Sequence, residues 1–159
     1  MPRRRSVNFK RDIGVDPRYH SPLLQKLMNV VMERGKKNAA RTIVYEAMDV
    51  LIKKTGSRDK ALDVFHQAFD NVIPAIEVRP RRVGGSVYQI PMEVPEGRAQ
   101  ALALRWLIES ASERGDKTMG QRLASEFLEA IDGRGGAVKK KSDVHRMAES
   151  NRAFSHYAW

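Results

Sequence analysis

The residues of this chain best placed to do chemistry are its arginines and lysines, and the chemistry they offer is phosphate neutralisation. Four windows hold bases and no acid. Residues 1–11 carry Arg3, Arg4, Arg5, Lys10 and Arg11; residues 34–41 carry Arg34, Lys36, Lys37 and Arg41. Residues 79–82 carry Arg79, Arg81 and Arg82, and residues 134–141 carry Arg134, Lys139, Lys140 and Lys141. Outside these 31 positions the chain holds 13 basic and 19 acidic residues, a net of −6, although the whole carries +10. A mildly acidic body wearing basic patches is the footprint of a polyanion binder.

Other chemistries fail on spacing. Gly133-Arg134-Gly135-Gly136-Ala137-Val138-Lys139-Lys140-Lys141-Ser142 looks superficially like a phosphate-cradling loop. That loop needs glycine directly before its lysine and Ser or Thr directly after, whereas Val138 and Lys140 flank Lys139. Val138 also stands where the third glycine of a dinucleotide loop belongs. His20, His66, His145 and His156 are scattered, and no Glu/His pair has metalloprotease spacing. His66, beside Phe65, reads as a helical surface histidine. The absence of cysteine removes disulfides and thiolate metal sites and suits a reducing compartment. We therefore expect no enzyme, no cofactor and no metal. The Arg-rich start lacks the apolar stretch of a secretory signal, and no run reaches the roughly 18 apolar residues of a membrane helix, so a soluble cytoplasmic protein is expected.

The elements that position these bases follow from periodicity. Residues 1–18 lack hydrophobic rhythm and read as an extended basic arm. Ser21 caps a first helix over about 21–33, with Leu23, Leu24, Leu27, Met28 and Val31 on one face. A turn at Arg34-Gly35-Lys36 leads to a second helix near 38–54, where Ala40, Ile43, Val44, Ala47, Met48, Leu51 and Ile52 form the stripe. A third stripe runs through Ala61, Leu62, Phe65, Ala68 and Phe69. The period then changes to two. Ile76 and Val78 alternate with Glu77 and Arg79, and Tyr88, Ile90, Met92 and Val94 with Gln89, Pro91 and Glu93. Gly84-Gly85 between them predicts a hairpin over about 74–94, while Pro80 and Pro91 keep it a two-stranded ribbon. Helices resume near 96–114, 117–131 and 137–152, the last of them poorly amphipathic. The fold expected is thus mainly α: a single-domain bundle of about six helices over 19–152, with one protruding β-hairpin, an extended arm and an aromatic tail at 153–159. The arm, the helix–helix turn, the hairpin tip and the glycine-rich connection are the parts that project, and the bases sit there. Tyr88 either stacks on an unpaired base or packs within the ribbon. The tail Phe154-Ser155-His156-Tyr157-Ala158-Trp159 either tucks against the body or anchors in a partner.

These residues resemble the bacterial small-subunit ribosomal protein seven family, essentially end to end. The resemblance is carried by Pro2-Arg3-Arg4-Arg5, Gly35-Lys36-Lys37, Arg81-Arg82-Val83-Gly84-Gly85, Tyr88-Gln89-Ile90-Pro91-Met92-Glu93-Val94, Ala103-Leu104-Arg105-Trp106 and Ala137-Val138-Lys139-Lys140-Lys141, continuing through Asp143-Val144-His145-Arg146-Met147-Ala148-Glu149. It implies a helical bundle whose β-ribbon binds the 3′ major domain of small-subunit ribosomal RNA. It also implies a part in assembling the subunit head, a place near exit-site transfer RNA and the messenger path, and neighbouring small-subunit proteins as partners. The expected RNA contacts are Arg3, Arg4, Arg5, Lys10, Arg11, Arg34, Lys36, Lys37, Arg41, Arg79, Arg81, Arg82, Gly84, Gly85, Arg98, Lys139, Lys140 and Lys141. Three positions depart from the family pattern: only Arg98 is basic in Pro95-Glu96-Gly97-Arg98, Ala158 stands before the terminal tryptophan, and Pro80 lies in the ribbon. A DNA-binding regulator with a basic β-wing is the rival reading. It calls for a dimerisation face and one dominant recognition helix, neither of which the pattern offers.

Overall fold

The computed structural model describes residues 12–157. Six α-helices, one two-stranded sheet and a closing 3₁₀ turn are found among them: α1 (Pro22–Val31), α2 (Lys37–Thr55), α3 (Arg58–Val72), β1 (Ile76–Val83), β2 (Ser86–Glu93), α4 (Glu96–Ser112), α5 (Met119–Ile131), α6 (Gly136–Ser150) and the 3₁₀ turn Arg152–Tyr157. The mainly helical architecture with one hairpin is the one the periodicity predicts. Boundaries differ by a residue or two. The first helix stops at Val31, and Arg34 and Gly35 both turn through the left-handed region.

Local sequence explains where helices begin. The Ser21 hydroxyl accepts the Leu24 N–H at 3.3 Å and Pro22 supplies a pre-set φ, so α1 starts there. Thr118 does the same for α5, accepting the Gln121 N–H while its own hydroxyl donates to Glu46 at 2.5 Å. Before α1, the turn at 17–19 is held by Asp16. This fully buried carboxylate accepts the Arg18 and Tyr19 amides and the Tyr45 hydroxyl at 3.0, 2.7 and 2.6 Å. Burial, followed by that bond, pushes the Tyr45 hydroxyl up to about 12.

α5 is the centre of the bundle and packs on α2, α3 and α4. Phe65 of α3 meets Phe127 of α5 edge to face at 5.3 Å, among Val44, Met48, Leu51, Leu104, Leu107 and Leu123. Each of those fully buried aliphatic side chains contributes about 1.5–3 kcal/mol of transfer free energy, and the ring pair adds about 0.5–1.5 kcal/mol. α2 passes close to α5 at Gly120, where a Cβ would stand 2.7 Å from Glu46 Cβ.

α6 buries only Ala137 and Ala148, which agrees with its weak stripe. Polar contacts hold it instead. Glu126 of α5, 1% exposed, accepts the Ala137 N–H at 2.9 Å and Arg114 Nε at 2.7 Å. Further along, Lys141 Nζ donates to the Asn71 carbonyl at 2.9 Å, and His145 Nε2 accepts the Ala75 N–H at 3.3 Å. Two groups of α6 thus grip the connection between α3 and β1.

Candidate nucleic-acid interface

The ribbon is antiparallel, pairing Ile76 with Glu93 through Val83 with Ser86. Gly84 and Gly85 form its two-residue turn at φ +57° and +86°, a pair of left-handed conformations that glycine adopts without steric cost. Hydrogen-bonded and non-bonded pairs alternate along such a ladder. The Val94 N–H donates to the Ala75 carbonyl at 3.0 Å, which puts Ala75, Glu77, Arg79, Arg81 and Val83 at bonded positions. Pro80 and Pro91 therefore occupy non-bonded positions, where a missing N–H faces outward and costs the ladder nothing.

Alternation puts Glu77, Arg79 and Arg81 on one face with Tyr88, Ile90 and Met92. Ile90 is fully buried and Glu77 nearly so, so this face turns toward the body. In the first strand the apolar members of the alternation, Ile76 and Val78, lie on the other face, and both are only half-buried. The reason is Glu77 itself. Its carboxylate receives Arg79 Nε at 2.6 Å and Arg98 Nε at 2.7 Å, so burial is compensated by two cations. Arg98 comes from the first turn of α4, and a pairing 21 residues apart leaves no local sequence signature. Arg82 and Val87 form the opposite, exposed face near the tip.

Tyr88 lies 4.9 Å from the Phe154 ring and 6.4 Å from the Tyr157 ring. The structure thus selects packing over a free base-stacking platform for Tyr88, and a tucked position for the tail as far as Tyr157. Ala158 and Trp159 lie outside the described residues.

The remaining expected contacts separate into three groups. Arg34, Lys36 and Lys37 are exposed at the α1–α2 turn. α2 begins with no acid in its first turn and no side-chain cap, so its unpaired amides and positive dipole end stand beside two lysines. That arrangement favours an anion. Arg41, one turn further on, is half-buried, with Nε buried and unbonded among the described residues. Of the three α6 lysines only Lys139 is exposed with no hydrogen bond or ion pair among the described residues; Lys140 pairs with Glu109 at 2.6 Å, and burial holds the Lys141 ammonium below its usual range. Arg3, Arg4, Arg5, Lys10 and Arg11 lie outside the described residues. The glycine-rich segment before α6 is no phosphate cradle, because the Ala137 amide at that helix start already holds the Glu126 carboxylate.

No group of metal-ligating side chains occurs among the described residues, and no described helix is long and apolar enough to cross a membrane. Residues 2–152 match the family model described as ribosomal protein S7p/S5e. The chain belongs to the ribosomal protein S7p/S5e family. Similar relatives include the small ribosomal subunit protein uS7 of Colwellia psychrerythraea and that of Acidiphilium cryptum, each 54% identical over the full length of both chains. The uS7 of Blochmanniella floridana is 51% identical over 98% of this chain and 99% of its own. An S7p/S5e protein is a structural component of the ribosome and not an enzyme. Family membership also sets aside the DNA-binding regulator.

Proposed function

We propose that the chain is a structural constituent of the small ribosomal subunit in the bacterial cytoplasm, and that it grips the 3′ major domain of the small-subunit RNA. The ribbon carries this reading. Arg82 projects into solvent beside a Gly-Gly turn, Arg79 is 45% exposed, and the fold behind them is locked by a buried core. A rigid body presenting arginines on a narrow two-stranded projection suits insertion between phosphate backbones. The α1–α2 turn adds Arg34, Lys36 and Lys37, and residues 1–11 add Arg3, Arg4, Arg5, Lys10 and Arg11. In this reading the protein nucleates the subunit head beside other small-subunit proteins, close to exit-site transfer RNA and the messenger path.

The test is equilibrium binding of a 3′ major domain transcript across a salt series, comparing the natural chain with R79A/R81A/R82A. The triple variant should bind more weakly and lose up to about 3 from the slope of log affinity against log salt. Its far-ultraviolet circular dichroism should match that of the natural protein, because Arg98 still pairs with Glu77. Unaltered affinity would overturn the ribbon as a contact element. Site-directed crosslinking from the ribbon tip in assembled subunits tests the placement near transfer and messenger RNA.

A further inference from the structure

We infer that Glu77 is a positioning residue that turns Arg79 and Arg98 into a two-pronged phosphate clamp; this rests on the RNA-binding reading above. Glu77 is only 7% exposed, yet it is a carboxylate flanked by two half-exposed arginines on an otherwise basic ribbon. Both arginines approach it through Nε: Arg79 at 2.6 Å to Oε1, and Arg98 at 2.9 Å to Oε1 and 2.7 Å to Oε2. No Nη nitrogen of either arginine takes a hydrogen bond among the described residues. The two side chains remain 45% and 49% exposed.

A guanidinium has five N–H donors in a rigid plane, so one edge can be fixed while the other stays available. Here the fixed edge is the one nearest the protein. The Nη donors of Arg79, midway along β1, and of Arg98, in the first turn of α4, are left without a hydrogen bond among the described residues, on two side chains that share one carboxylate. Pre-fixing both side chains removes the rotamer entropy that a free arginine loses on binding. The ligand such a pair fits is a phosphodiester of the structured RNA, held by Nη donors from two elements at once. Lysine cannot do this. Its single ammonium, once paired with Glu77, has no second fixed edge to offer.

The sign of one substitution separates positioning from bulk electrostatics. E77Q removes a negative charge and raises the net charge by one, so attraction of a polyanion to charge alone would tighten RNA binding. Loss of the clamp weakens it, because glutamine carries no charge, keeps a single acceptor oxygen for two guanidinia, and turns an NH₂ toward one of them. We expect E77Q to bind the 3′ major domain transcript roughly tenfold more weakly. R79K/R98K, which preserves net charge and leaves ammonium groups for Glu77, is expected to weaken it similarly. Equal or tighter binding by E77Q overturns the clamp, as does R79K/R98K binding like the natural chain. If E77Q does not fold, as judged by its far-ultraviolet circular dichroism, the lysine pair decides alone. Failure of the natural chain to bind the transcript in a salt-dependent manner overturns both the clamp and the RNA-binding reading. A salt-dependent natural chain with unweakened variants overturns the clamp only.

Discussion

Replacing Glu126 by glutamine changes one atom type in a closed site, and its cost can be worked out from the geometry. The carboxylate serves two donors with its two oxygens: Arg114 Nε at 2.7 Å and the Ala137 amide at 2.9 Å. Glutamine has one acceptor oxygen, so its NH₂ must face one of two N–H groups. One donor is orphaned in a buried site, which costs about 1–3 kcal/mol. Arg114 also loses a charge partner while largely covered. Removing one member of a buried ion pair costs about 3–5 kcal/mol, but Glu129 still pairs with Arg114 and lowers that figure. A total near 3 kcal/mol follows. At about 2–4 °C per kcal/mol for a chain of this size, the thermal midpoint should fall by about 6–12 °C. Circular dichroism melting gives the midpoint, and amide hydrogen exchange at Ala137 locates the damage, which should be greatest at the start of α6. A midpoint within about 2 °C of the natural protein, with Ala137 protection unchanged, would show that Glu126 does not fasten α6.

Two further outcomes follow from the same structure. His145 is held below its usual range by burial and then by Lys141, so the folded protein favours the neutral ring that accepts the Ala75 amide. Stability from this group is present above about 6.5 and is lost as pH falls through the depressed value; H145Q should flatten the melting-point slope between about pH 7.5 and 5, and an unchanged slope would sink the assignment. G120A places a Cβ against Glu46, so α2 and α5 must separate; a loss of about 1–3 kcal/mol in urea unfolding is expected, and a neutral effect would mean that the contact relaxes freely.

Legibility followed the range of the interaction. Helices α1 to α5 carry stripes at helical spacing because each buries one face against a neighbour, and such patterns are local. The hairpin was equally open to reading, since two glycines between alternating runs leave few other geometries. The inward face of β1 was not. Val78 is the better hydrophobe, but Glu77 goes inside because Arg98 waits in another element, and no local rule anticipates a partner 21 residues away. Lys140 and Lys141 read as free charge for the same reason; their partners, Glu109 and the Asn71 carbonyl, lie 31 and 70 residues off. Likewise Tyr88 and the tail each present two readings, which the packing of Phe154 and Tyr157 on Tyr88 separates. Positive windows mark where charge is concentrated along the chain, whereas the fold decides how much of it still faces outward.

The two prolines of the ribbon bear on the life of the molecule before it meets RNA. A sheet of only two strands has two edges, and each is a ready template for another copy's strand. Pro80 blanks the outward donor midway along one flank, and Pro91 does so on the other. Any intruding strand would find its hydrogen-bond row interrupted on either side, while the inner ladder loses nothing. Both edges of the ribbon are thus guarded against pairing with a second copy by the same two residues.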